Sequence, residues 1–319
     1  MLYEIGTDGT DWWTSTPDEA RGRPSAGLLD RCTASSSCPK IVELLGSTEF
    51  WTLRASLGFT GTAADRDIPL PSNVRRYYVA STQHGGGSGG VHWEVLERQH
   101  SSECVLPLNP NPMNPTRRAL LVALKQWVIE GTEPPPSSYP LLSDGTLLPS
   151  TAMIGSFPVI PGVPLPRNAM NPVVDYELGP GFHYGDLAGI VQQEPPPITG
   201  ESKSALPAVD ADANEIGGIH TVLQQAPLGT YLGWNLVSHG FRKGQFCGLS
   251  GGYVPFAKTA TDRKLGRDPR PSLEERYGTH QGYLARVKAA ADKLVKERFL
   301  LPDDAKKLIN DAERSDVLH

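Results

Sequence analysis

A chain of 319 residues that is 39% hydrophobic and 20% charged can bury a sizeable core and is too apolar to be intrinsically disordered. Its net charge of −5 comes without any Lys/Arg cluster interleaved with aromatics, which excludes the electrostatic footprint of a nucleic-acid binder. Apolar runs such as Ala119 to Ala123 are far too short to cross a bilayer, which excludes a membrane-spanning helix. The length predicts about two structural units. With 33 glycines and 29 prolines, the loops should be long and ordered.

Residues 1 to 38 read as irregular. Met1-Leu2-Tyr3-Glu4-Ile5-Gly6 has neither the basic nor the apolar region of a signal peptide, so the protein stays in the cytoplasm or its true N-terminus lies outside this sequence. Asp8-Gly9 and Pro17-Asp18 are turn signals, and Trp12-Trp13 reads as a core plug in preference to the rim of a binding site. Cys32 and Cys38 flank the short spacer Thr-Ala-Ser-Ser-Ser, which a disulfide can close; such a bridge favours export. Localisation therefore stays open between exported or periplasmic and cytoplasmic. Cys104 and Cys247 stand alone, so no second pair completes a zinc site, and neither metal nor cofactor is expected.

Two β-rich runs follow, Ile41 to Leu45 and Val74 to Ala80, each ending in small polar residues as a strand does when it leaves a sheet. Phe50 to Phe59 between them reads as a short helix, which makes a βαβ unit with parallel strands. Asn114 as cap, Pro115 in the first turn and Gly131 as stop frame a strong helix, with Leu120, Leu121, Leu124, Trp127 and Val128 as its inward stripe. Thr132 to Pro140 reads as a stiff linker. From there to Tyr253 the chain is turn-rich, either a small β-rich elaboration or extended chain wrapped over the first unit. The C-terminus is helical. Ser272 and Glu275 form a capping box with Gly278 as stop, Leu284, Val287, Ala291, Leu294 and Val295 mark a longer helix, and Pro302 opens a last one with Leu308 and Ile309 inward.

The chemistry gathers just past the two strands. Glu49 follows the first and His84 the second, which is the back half of a hydrolase triad: an imidazole to take a proton and a carboxylate to fix its tautomer. Asp67, on the same connection, is the rival acid. The nucleophile is missing. Gly86-Gly87-Ser88-Gly89-Gly90 and Gly248-Leu249-Ser250-Gly251-Gly252 both match G-x-S-x-G, yet neither serine has a strand before it and a helix after it. His84-Gly85-Gly86-Gly87 matches an HGGG oxyanion loop, but no elbow follows it, and the glycines read as slack beside the histidine. Asp210-Ala211-Asp212-Ala213-Asn214 begins like a calcium loop, but the sixth and twelfth positions are Glu215 and Thr221, so it reads as a turn between short strands.

Several motifs carry a resemblance. They include Gly27-Leu28-Leu29-Asp30-Arg31-Cys32, Ser47-Thr48-Glu49-Phe50-Trp51, Asp67-Ile68-Pro69-Leu70-Pro71 and Ser81-Thr82-Gln83-His84-Gly85. Pro227-Leu228-Gly229-Thr230-Tyr231, Gly252-Tyr253-Val254-Pro255-Phe256-Ala257 and Ser272-Leu273-Glu274-Glu275-Arg276-Tyr277 extend it. From about Ser25 onward the chain resembles a bacterial family of large alpha/beta hydrolase domain-containing proteins. The resemblance implies that His84 is the catalytic base and Glu49 its acid partner. It also implies that this chain corresponds to the C-terminal half of such an enzyme, the serine elbow lying in the preceding half. The expected fold is α/β: a partial alpha/beta-hydrolase core with the acid and His strands over residues 1–131, a Pro/Gly-rich β and loop elaboration over 132–255, and a helical segment over 256–319. The expected function is hydrolysis of a carboxylic ester or related acyl bond, with a small-molecule ester as substrate and a preceding N-terminal half as partner. The alternative is a non-catalytic binding module, or a truncated gene product, that keeps the hydrolase framework.

Overall fold

The computed structural model of the chain describes residues 12–18, 23–90, 103–167, 169–182 and 190–319. Met1 to Gly6 and the turn expected at Asp8-Gly9 lie outside the described residues. Pro17-Asp18 is not a turn. It belongs to a strand, β1 (Thr16–Asp18), paired antiparallel with β2 (Arg23–Ala26) ahead of a short helix, α1 (Asp30–Ala34). The register pairs Thr16 with Ala26 and Asp18 with Arg23 and passes over Pro17, so the missing N–H is tolerated. Trp12 is buried and its indole donates to the Leu57 carbonyl, as a core plug should.

The centre of the fold is a parallel pair, β3 (Ile41–Gly46) and β4 (Val74–Val79), in register from Ile41 opposite Val74 to Gly46 opposite Val79. The crossover between them holds two short helices, α2 (Ser47–Trp51) and α3 (Leu57–Thr60), rather than the single helix expected over Phe50 to Phe59. Arg54 breaks it, because its φ of 54° lies in the left-handed region. Alternation along the strands sends Leu44 and Tyr77 to one face of the sheet and Leu45 and Tyr78 to the other, into two separate core clusters.

The outer edge of β4 is covered. Tyr78 N–H donates to the Ser138 carbonyl (2.9 Å) and Ser138 N–H to that of Arg76 (3.0 Å), while Ile219 N–H donates to Tyr78 O (2.7 Å). The proline-rich stretch read as a linker therefore ends inside the sheet: Tyr77 donates its phenol to Pro135 O, and Ser138 lies parallel to β4. The outer edge of β3 has no strand partner among the described residues.

Downstream lie α4 (Asn114–Glu130), β5 (Leu147–Pro149), α5 (Ser150–Ser156), the antiparallel pair β6 (Val173–Tyr176) and β7 (Ile198–Ser202), and β8 (Ala205–Pro207), antiparallel to β5. After α6 (Val222–Gln225), β9 (Gly229–Leu232) pairs antiparallel with β10 (Gly252–Pro255). The described chain closes with α7 (Ala260–Leu265), α8 (Leu273–Tyr277), α9 (His280–Lys296) and α10 (Pro302–Glu313). One core cluster packs Tyr77 against Leu120 of α4 and against α9 and α10. The other packs Tyr78 against Phe50, Phe59, Leu206 and Trp234. The result is an α/β arrangement with the parallel pair between two packed layers.

Pro115 and Gly131 bound α4 as expected, although Asn114 is its first residue rather than its cap. Its inward face is Thr116, Ala119, Leu120, Ala123 and Trp127; Leu121 and Val128, expected inside, are 59% exposed. The capping box of α8 is formed by Ser272 and Glu275, and Gly278 ends the helix at a φ of 68°.

Candidate active site

Both strands of the parallel pair release their chains at the same end of the sheet, and Glu49 and His84 meet there. His84 Nδ1 lies 2.7 Å from Glu49 Oε1. The other carboxylate oxygen of Glu49 accepts the Gly46 N–H at 3.1 Å, so the side chain is tied back to the end of its own strand. The Glu49 side chain is 15% exposed and that of His84 is 50% exposed. An imidazole held at Nδ1 by a sheltered carboxylate presents Nε2 outward, the arrangement a general base requires.

The turn that aims His84 is forced. Ser81 adopts a φ of 54°, uncommon for a residue with a side chain. Its carbonyl accepts from the side-chain amides of Asn109 and Asn111, both at 3.0 Å, and both asparagines are fully buried. Ser47 N–H donates to the Thr82 carbonyl, which ties α2 to this turn. The glycines after His84 are not slack. A Cβ on Gly86 would fall 2.4 Å from the Met113 nitrogen and one on Gly87 2.3 Å from the Asn109 carbonyl oxygen, so the chain passes where no side chain fits.

A family model described as an alpha/beta hydrolase domain matches residues 7–310 of the chain. The chain belongs to that family. No curated protein and no solved structure matches it.

Within the hydrolase domain the rival acid is otherwise engaged: Asp67 accepts the backbone N–H groups of Leu142 (2.8 Å) and Ser143 (3.0 Å). The HGGG reading fails on hydrogen bonding. The Gly86 amide donates to Gln83 O and the Gly87 amide to Asn111 O, so both point inward and neither faces an oxyanion. Ser88 lies in the glycine loop. Ser250 comes closer to the site than its sequence context suggested, since His84 N–H reaches the Leu249 carbonyl and Gly251 N–H donates to Gln83 Oε1. It nevertheless leads into β10, a strand, and forms no elbow. The calcium-like loop is a turn: Asp210 accepts the Asp212 and Asn214 amides, and Val209 bridges Glu215 antiparallel.

Cys32 and Cys38 form the disulfide considered from the sequence. Cys104 and Cys247, read as standing alone, are also bonded to each other. Their partnership spans 143 positions and left no local signal. The bridge joins the strand-like segment before Asn109 to the loop that carries Leu249 and Gly251. It therefore braces the chain on which His84 rests.

The residue that sequence reasoning missed is Glu215, buried beneath the pair. Its carboxylate accepts from Tyr78 OH at 2.7 Å and Ser81 N–H at 2.5 Å, and from the Ser47 hydroxyl. Burial pushes its carboxyl above the usual range, opposed by hydrogen bonds from Ser47, Tyr78, Ser81 and Trp51. Its only sequence mark was negative: it occupies the place where a calcium loop needs glycine.

Proposed function

We propose that this hydrolase domain supplies the general base and its orienting acid for serine-type hydrolysis of carboxylic esters or related acyl bonds. The supporting observation is the 2.7 Å contact between His84 Nδ1 and Glu49 Oε1 at the carboxyl ends of adjacent parallel strands. In this reading Nε2 of His84 takes the proton of an attacking serine hydroxyl as its oxygen adds to the acyl carbon. Glu49 stabilises the imidazolium, which returns the proton to the departing alcohol. Water then repeats the sequence and releases the acid. The serine comes from a segment outside the described residues, and the open edge of β3 is where further strands of a larger sheet would join. The substrate is a small ester. Two disulfides in one chain favour an oxidising compartment and hence export.

The test is hydrolysis of a short-chain nitrophenyl ester, with fluorophosphonate labelling, by the chain alone and with the preceding polypeptide supplied in frame. Activity and labelling are expected only with the added segment, and His84→Ala should lower kcat/KM by about 10³-fold. Strong hydrolysis by the chain alone, lost in Ser88→Ala or Ser250→Ala, would overturn the external serine. Ligand binding without labelling in either form, unaffected by His84→Ala, would favour a non-catalytic binding module.

A further inference from the structure

We propose that Glu215 is a positioning residue that locks the two arms of the Glu49–His84 pair to each other. The inference rests on reading that pair as the working centre. Each arm leaves its strand separately, Glu49 on α2 and His84 past the Ser81 turn, and the 2.7 Å contact between them bridges side chains 35 residues apart. Such a contact persists only if both backbones are fixed in one frame.

Glu215 provides that frame. On the acid arm, its carboxylate accepts the hydroxyl of Ser47, the first residue of α2. On the histidine arm it accepts the phenol of Tyr78, on β4, and the backbone N–H of Ser81. Its own N–H donates to Ser81 Oγ at 2.9 Å, so Ser81 is gripped through both its main chain and its side chain. The Glu215 carbonyl is held in turn by Gln224 Nε2 at 2.6 Å. Donors from both arms thus converge on one buried carboxylate, which when ionised accepts at both oxygens and donates at neither. The left-handed Ser81 turn, unfavourable for a residue with a side chain, is kept in place by these bonds. Neither Ser47 nor Tyr78 has a direct part in acyl chemistry, yet both are buried and both point at Glu215.

The readout is the downfield proton resonance of an imidazole N–H bonded to a carboxylate, assigned by its loss in His84→Ala and Glu49→Gln. It reports the pair without any hydrolysis, so failure of the ester-hydrolase reading leaves this result separable. Glu215→Gln should abolish the resonance while far-UV circular dichroism stays that of the wild type. Val287→Ala, in the helical layer, should lower thermal stability and keep the resonance. If Glu215→Gln does not fold, Tyr78→Phe and Ser47→Ala each withdraw one donor and should broaden or weaken the signal. An unchanged resonance in Glu215→Gln, or in both single-donor variants, would overturn the proposal. Absence of the resonance in the wild type would overturn the pair and this inference together.

Discussion

At the scale of single residues, the fold treats its histidines differently. His84 is half exposed and held by a carboxylate, whereas His220, one residue past the Ile219 contact with β4, is mostly enclosed. His220 Nε2 is buried without a hydrogen-bond partner among the described residues. It lines a cleft of about 800 Å³ together with Asp210, Asp212, Arg276, Arg286 and Lys293. Burial lowers its pKa, and Lys293 pushes in the same direction against the hydrogen bond to the Ile216 backbone. The sign follows from proton counting. As pH falls below the unfolded value of about 6.5, the unfolded chain takes up a proton that the folded chain refuses. His220 therefore removes stability as pH drops from about 6.5 toward its depressed folded value, by at most about 1.4 kcal/mol per pH unit. Urea unfolding at pH 7.5 and 5.5 should show this acid-side loss in the wild type and a shallower one in His220→Leu. Equal slopes in the two proteins would assign the acid sensitivity elsewhere.

At the scale of elements, the site depends on how closely α2 lies against the end of β9. Thr48 Oγ1 donates to the Gly233 carbonyl at 2.6 Å, and a Cβ on Gly233 would fall 1.8 Å from Ser47 Oγ and 2.4 Å from Ser47 Cβ. Gly233→Ala must push α2 outward, and overpacking of that kind costs about 1–3 kcal/mol. Thermal melts should show the loss, with a weakened Glu49–His84 resonance because α2 carries Glu49; a melt identical to wild type would mean the interface is looser than its geometry. The same elements show what a sequence can reveal. Pro115, Gly131, the Ser272–Glu275 box and the parallel β3 and β4 were legible because each depends on residues close together in the chain. The inward face of α4 was not, since Leu121 and Val128 have the right spacing and only the packed neighbour decides which stripe turns in. Ser138 and Ile219 gave no strand signal because each adds a few hydrogen bonds to β4 without a β-rich run around it. Glu49 and His84 were singled out because each follows a strand end, and the structure brings their side chains together. Glu215 was hidden because its partners Ser47, Tyr78 and Ser81 lie 134 or more residues away.

At the scale of the whole molecule, the two disulfides do unequal work. Cys32 and Cys38 are six positions apart and close a small loop, worth about 2 kcal/mol in the chain-entropy model. Cys104 and Cys247 close a loop spanning 143 positions, for which the same model gives about 5 kcal/mol. The native contacts around the long-range bridge favour the larger effect. Val105 N–H donates to Leu236 O, Ser238 N–H to Glu103 O and Cys247 N–H to Asn235 O, so the bridge crosses segments already paired and adds no new path for the chain. Through Asn109 and Gly251 the same segments reach the Ser81 carbonyl and the Gln83 side chain, which couples global stability to the histidine turn. Replacing Cys104 and Cys247 together by serine should therefore lower the urea midpoint much more than replacing Cys32 and Cys38, and should also weaken the His84 imidazole resonance. Measured without reductant, so that each variant keeps its other disulfide, the reverse ranking would show that the long loop retains structure when the chain unfolds, so that little entropy is removed by closing it.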